Sequence, residues 1–172
     1  MRDRDAEFGE FLDSRAAVLR RTAYLLCGDW HRAEDFVQTA LAKLYVAWPR
    51  LRKDANIDAY ARKVLTRTVI DESRRAFRKR ESSVARLPEV ATHGPAVAEA
   101  VDVRRALAGL PPGQRAVVVL RYWDDLSVEE TAKVLGRSVG TVKSQSAKGL
   151  ASLRRALGDD RTDVVEGRRR AG

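Results

Sequence analysis

The chain has one cysteine, one methionine and two histidines among its 172 residues. A lone cysteine excludes a disulfide framework and any thiol cluster for zinc. Cys27 follows Leu25 and Leu26, a setting that suits a small buried apolar side chain better than a redox centre. With His31 and His93 as the only imidazoles, neither a metal site nor a catalytic triad can be assembled. A phosphate-cradling glycine loop and an activated nucleophile are missing too, so no catalytic residue, cofactor or metal is expected. Long apolar runs are also absent: nothing approaches the roughly 20 residues of a membrane span. The opening "MRDRDAEFGEF" has no apolar signal core. These absences predict a cytoplasmic, non-enzymatic chain without membrane insertion.

Charge is present in quantity. Lys and Arg number 33 against 24 Asp and Glu, a net charge of +9. Such an excess favours a polyanionic partner, raising both affinity and encounter rate for phosphates. A solvated basic surface is the competing account. The length allows one ordinary domain or two small ones.

Apolar residues recur at Phe8, Phe11, Leu12, Leu19 and Leu26, the spacing of an amphipathic helix. "CGDW" interrupts it, with Gly28 and Asp29 as stop and cap. A second helix is predicted from about His31 to Trp48, with Ala33, Phe36, Val37, Ala40, Leu44, Tyr45 and Trp48 on one face and Pro49 as its end. A third runs from about Ile57 to Lys79, with Ile57, Tyr60, Ala61, Val64, Leu65 and Phe77 as apolar residues. Three such stripes can enclose one bundle core. Residues 81–97, "ESSVARLPEVATHGPAV", lose periodicity and read as a linker. Helix returns at "VDVRRALAGL", stops at Gly109 and restarts with Pro112 in its first turn. The tail after residue 157 lacks a core face and is expected to be mobile. With no strand-period segment, the chain should be all-α: two small helical units joined by a flexible linker.

"LSVEETAKVLGRSVGTVKSQ" then has the form of a helix-turn-helix. Ser127 and Glu130 make a capping box, Gly136 ends the first helix and Ser138 caps the second. Ala132 is small enough for close packing. Val139, Val142, Leu150, Leu153 and Leu157 are expected inward, while Gly140, Ser144, Ala147 and Ala151 form the opposite face. Lys143, Gln145, Lys148 and Arg155 flank that face. Bulk is missing where a duplex would sit, and first-turn amides can donate to phosphate. The lysines can reach guanine or phosphate, and Gln145 can pair with adenine. A plain helical hairpin packing its small face on another helix is the alternative. Trp30, Trp48 and Trp123 suit the core or its edge better than base stacking.

At this point a resemblance becomes specific. "LPPGQRAVVVLRYWDDLSVEETAKVLGRSVGTVKSQSAKGLASLRRAL" resembles the σ4 domain of extracytoplasmic-function sigma factors, the small bacterial RNA polymerase subunits. "RAEDFVQTALAKLYVAWPRL" and "DAYARKVLTRTVIDESRRAFRKR" are similar to successive helices of their σ2 domain. The likeness covers about residues 6–157 and is strongest to the actinobacterial SigE-like group.

The resemblance implies a σ2 domain at 6–80, the linker at 81–97, σ4 at 98–157 and a tail at 158–172. It assigns the minus-35 element to Arg137, Thr141, Lys143, Ser144, Gln145 and Lys148. It assigns the minus-10 element, including capture of a flipped base, to the segment Lys53, Asn56, Ile57, Asp58 and Tyr60. The same minus-10 DNA is assigned to the basic stripe that follows, including Arg62, Lys63, Arg67, Arg74 and Arg75, which would track its phosphates. Glu34, Asp35 and Gln38 would meet the clamp helices of the polymerase's largest subunit, and σ4 the flap of the second-largest. The chain departs from the family in two places: Gln145 stands where many relatives carry arginine, and Arg67 where they usually have asparagine. Many relatives are held by an anti-sigma factor, a partner open to this chain as well. Promoter DNA and core polymerase are thus the implied partners. A stand-alone helix-turn-helix regulator stays as the alternative, although it leaves the "AEDFVQ" face and the basic third helix without a use.

Overall fold

A computed structural model describes residues 2–51, 56–81 and 98–158. All described elements are helical, and they fall in two compact units divided between residues 88 and 89. Beyond Glu81, the stretch expected as a linker lies outside the described residues, as do Lys53 and the tail after Gly158.

The first unit is a three-helix bundle. Helix α1 (Arg2–Cys27) begins earlier than its apolar spacing announced. Asp29 caps α2 (Trp30–Ala47): its extended backbone lets the carboxylate accept from the Arg32 amide at 2.9 Å. Helix α3 (Ile57–Glu81) packs against both. Ala33, Phe36, Val37, Ala40 and Leu44 of α2 are buried, as are Leu19, Ala23 and Leu26 of α1 and Ala61, Leu65 and Val69 of α3. Fully burying a leucine such as Leu44 or Leu65 contributes about 1.5–3 kcal/mol. At one end Phe8 meets Trp48 and Tyr45 edge-on, with ring centroids 5.0 and 5.1 Å apart.

Three sequence expectations need correction here. Tyr45 is not a core residue; it lies exposed at the bundle edge, where its hydroxyl donates to Asp5 at 2.9 Å and accepts from Arg4 at 3.2 Å. Pro49 does not end the chain's helical path, which continues as a 3-10 turn over Trp48–Arg50. Trp48 keeps a helical backbone before the proline because its ring is buried against Phe8 and Phe11, while Pro49 occupies a first-turn position that needs no amide hydrogen. Cys27 is only half-buried, and its thiol donates to the Asp29 carbonyl at 3.3 Å across the turn.

The second unit contains α4 (Ala98–Ala108), α5 (Pro112–Val118), α6 (Val128–Leu135) and α7 (Val139–Leu157). Arg115 donates to the carbonyls of Ala108 and Leu110 at 2.7 and 3.1 Å, tying the end of α4 to the start of α5. Helix α5 widens into a π turn over Val119–Trp123, closed by the Asp124 amide on the Val119 carbonyl at 3.0 Å. Residues 116–120 are buried without a break, so this segment is covered on every side. Buried Arg121 donates to the Leu126 carbonyl at 2.7 Å and holds the turn that leads into α6. Val117, Ala132 and Val142 form one core cluster, with Val128 and Leu135 against it. Leu120, Leu126 and Val134 form another.

Candidate nucleic-acid interface and docking face

The turn between α6 and α7 is fixed by local chemistry. Ser127 accepts from the Glu130 amide at 3.0 Å, and Glu130 accepts from the Ser127 amide at 2.7 Å, so the capping box is complete. Gly136 ends α6 in the left-handed region (φ 62°, ψ 40°), where a side chain would be strained. Ser138 then caps α7, accepting from the Thr141 amide at 3.1 Å, with its hydroxyl 2.9 Å from that of Thr141.

From this start α7 presents a carboxylate-free helix bearing Lys143, Lys148, Arg154 and Arg155. Lys143, Ser144, Ala147, Lys148 and Ala151 are exposed, Arg137 is exposed just before the cap, and Thr141 and Gln145 are half-buried. A Cβ on Gly140 would meet nothing closer than the Ser138 hydroxyl at 3.9 Å. Among the described residues the small leading edge is therefore open space, not a packing necessity. The structure brings the six expected residues onto one turn-and-helix surface next to an amide-rich helix start, an arrangement suited to phosphates.

The inward stripe differs from expectation at its first member. Val139 is 37% exposed, and Val142, fully buried, is the first apolar anchor. Ser146 and Gly149 complete the buried face with Leu153, while Leu150 and Leu157 are half-buried. Val139 sits in the first turn, before α7 has reached the elements it packs against.

In the first unit the expected base-capture residues are engaged within the bundle. Asn56 caps α3, accepting from the Ala59 amide at 3.0 Å. Asp58 is ion-paired with Arg15 of α1 at 2.8 Å. Ile57 and Tyr60 are half-buried beside them. Further along α3, Arg62 and Lys63 are half-buried, Arg67 and Arg74 exposed, and Arg75 paired with Glu72 at 3.0 Å. Lys53 lies outside the described residues.

Glu34, Asp35 and Gln38 are all exposed on α2. They stand beyond its first turn, where the helix dipole no longer accounts for carboxylates. Glu34 is ion-paired with Arg20 of α1. Arg15 and Arg20 had no signal in the sequence because each pairs with a different helix, and no spacing rule connects them to their partners. Ser146 and Gly149 were discoverable, since they follow Val142 at helical spacing. Of the tryptophans, Trp48 is buried, while Trp123 is exposed and Trp30 stacks on Tyr24 at 4.0 Å with its outer face open. No described helix is long and apolar enough to cross a membrane.

Comparison with known proteins places these surfaces in context. The family described as Sigma-70 region 2 matches residues 12–80, and Sigma-70, region 4 matches residues 100–153. The RNA polymerase sigma-E factor of Streptomyces coelicolor is 40% identical over 156 residues, covering 88% of this chain and 86% of that protein. The ECF RNA polymerase sigma factor SigM of Mycobacterium tuberculosis is 33% identical over 146 residues, covering 85% and 74%. Among solved structures, the sigma factor RpoE of Bartonella quintana, crystallised with the anti-sigma factor NepR, superposes with a TM-score of 0.80 at 26% identity, over 90% of this chain and 99% of that one. The match thus spans both helical units, and the chain belongs to the extracytoplasmic-function (ECF) sigma factors, the subunits with which RNA polymerase initiates transcription.

Proposed function

We propose that residues 6–80 act as σ2 and residues 98–157 as σ4, with 81–97 as the connection between them and 158–172 as a tail. In this reading α7 reads the minus-35 element. Lys143, Ser144, Gln145 and Lys148 face the groove, while Arg137, Thr141 and the first-turn amides hold phosphate. Gln145 selects adenine through its amide, where an arginine would select guanine. The loop before α3 receives an extruded minus-10 base. Asn56 and Asp58 are held ready by Ala59 and Arg15, and Lys53, Ile57 and Tyr60 surround the base. Arg62, Lys63, Arg67, Arg74 and Arg75 follow the phosphates. Asp35 and Gln38, with Glu34 beside them, dock on cationic groups of the clamp helices of the polymerase's largest subunit, and the σ4 unit meets the flap of the second-largest.

The observation that carries this reading is the contrast between two exposed faces. Helix α7 shows no carboxylate and little bulk, which suits a phosphate surface. Helix α2 shows adjacent carboxylates and an amide, which a phosphate surface would reject and a basic protein surface would accept. The chain is non-catalytic by itself and works in the cytoplasm beside its polymerase. An anti-sigma factor fits as a further partner, since a similar sigma factor was crystallised with one.

Purified chain added to core polymerase should support initiation at discrete start sites in run-off assays. Asp35→Ala with Gln38→Ala should lower core affinity while leaving the helical circular-dichroism signal intact. Tight sequence-specific duplex binding by the free chain, without polymerase association on gel filtration, would instead establish a stand-alone regulator.

A further inference from the structure

Ser146 is a polar side chain buried on the inner face of α7, in line with Val142, Gly149 and Leu153. Its hydroxyl lies 3.1 Å from that of Tyr122, which the π turn after α5 places against it. Three residues on, Gly149 abuts α5 itself: a Cβ there would stand 2.7 Å from a methyl of Val118. The Gln114 carbonyl would lie 3.5 Å from that Cβ. Val118 is buried and β-branched, so it has little freedom to rotate away. Helix α5 and the π turn that follows it therefore grip α7 at two successive turns, once by a hydrogen bond and once by close approach of the α7 backbone.

These two contacts differ in kind from the apolar contacts beside them. Apolar contacts such as those of Val142 and Leu153 are non-directional and resist separation more than rotation. A hydroxyl pair has a direction, and a glycine pressed on a valine leaves no room for roll. At 100° per residue, Ser144 and Lys148 lie opposite Ser146, while Lys143 and Gln145 lie on the two flanks. On a helix of radius about 5–6 Å with its side chains, a roll of about 10° carries a side-chain tip about 1 Å. Paired hydrogen bonds to a base edge are bent and weakened by that displacement.

We infer that Tyr122 and Ser146, with the Gly149–Val118 contact, are positioning residues that fix the roll of α7 and thereby set its selectivity for minus-35 bases. The inference rests on α7 as the minus-35 reader. The test uses the full chain with core polymerase on templates carrying a randomised minus-35 segment. Their minus-10 segment is fixed, taken from a start site mapped with the wild-type protein. Tyr122→Phe and Ser146→Ala each delete one hydroxyl, and Gly149→Ala forces α7 away from Val118. Each should reduce the ratio of preferred to next-best base by about 3- to 10-fold at positions facing α7, part of what a good bidentate contact supplies. The Tyr122→Phe, Ser146→Ala double variant should lose no more than the worse single variant, because the Tyr122–Ser146 bond is removed in all three. Simple loss of folded protein lowers the yield on every template alike and leaves the ratios unchanged, which counts against the inference. Gln145→Ala separates the two layers. If it and Lys143→Ala, Ser144→Ala and Lys148→Ala all leave every ratio intact, α7 is not the reader. If Gln145→Ala flattens its own position while the Tyr122, Ser146 and Gly149 variants keep wild-type ratios, the positioning role is overturned.

Discussion

The Arg20–Glu34 ion pair makes an unusual prediction about polymerase binding, because its sign is opposite to ordinary expectation. Arg20 lies on α1 and Glu34 on α2, so the pair crosses the bundle surface beside Asp35 and Gln38. Both side chains are half exposed, at 50% and 51%, so water screens the attraction to about 0–1 kcal/mol. A polymerase cation that takes the Glu34 carboxylate must displace or share Arg20. Arg20→Ala should therefore tighten core binding, and 1 kcal/mol bounds the gain at about 5-fold. Removing one positive charge near a basic partner acts in the same direction, but that part fades as salt shortens the screening length below about 8 Å. The measurement is fluorescence anisotropy of the labelled full chain titrated with core polymerase at low and high salt. Wild type, Arg20→Ala, Glu34→Ala and the double variant complete the cycle. Glu34→Ala should weaken binding, and at high salt Arg20→Ala should be silent in its background. Weaker binding on losing Arg20 in both backgrounds would refute the competition and make Arg20 a contact in its own right.

Two further perturbations bear on the helix-turn-helix. Ser127→Ala removes the acceptor for the Glu130 amide and should cost about 1 kcal/mol. For a unit of this size that lowers the thermal midpoint by about 4–8 °C by circular dichroism, and an unchanged midpoint would rule out an energetic role for the box. Gly140→Ala places its new methyl in open space and should gain up to about 1 kcal/mol of helix propensity. It should nonetheless reduce minus-35-dependent initiation several-fold, and undiminished initiation from a stabilised variant would mean that the first turn of α7 does not approach DNA.

The features most legible in sequence were those decided within three or four residues. Asp29, the Ser127–Glu130 box, Gly136 and Ser138 act on amides or on backbone angles one helical turn away, so their spacing specifies the outcome. The α2 stripe was legible for the same reason, except at Tyr45. A tyrosine at the margin of a stripe turns outward when its hydroxyl finds partners, and Arg4 and Asp5 lie far away in sequence. The π turn was not legible. Nothing in "VVVLRYW" separates it from α-helix, and its extra residue is stabilised by Arg121 reaching the Leu126 carbonyl beyond the helix end. The exposed acidic patch on α2 was legible as charge of the wrong sign for DNA on a basic chain. Its pairing to Arg20 was not, since residues 14 apart on antiparallel helices obey no local period.

Gly140 and Gly149 look equivalent in the sequence, since each weakens the same helix by about 1 kcal/mol relative to alanine. The structure separates their reasons. At Gly140 the neighbouring space is open among the described residues, so no packing requirement there accounts for the missing side chain, whereas the proposed approach to a phosphate would. At Gly149 the space is taken by Val118, so the missing side chain is an internal requirement. A helix with both is held closely at its back and left bare at its leading edge. Those are the two conditions under which backbone amides can come near a phosphate while side chains one turn later meet bases at a fixed angle. A helix stabilised at both positions by alanine would be the better isolated helix and the poorer reader. On the proposed reading, the weak propensity of α7 follows from where it has to go and from how firmly it has to be held there.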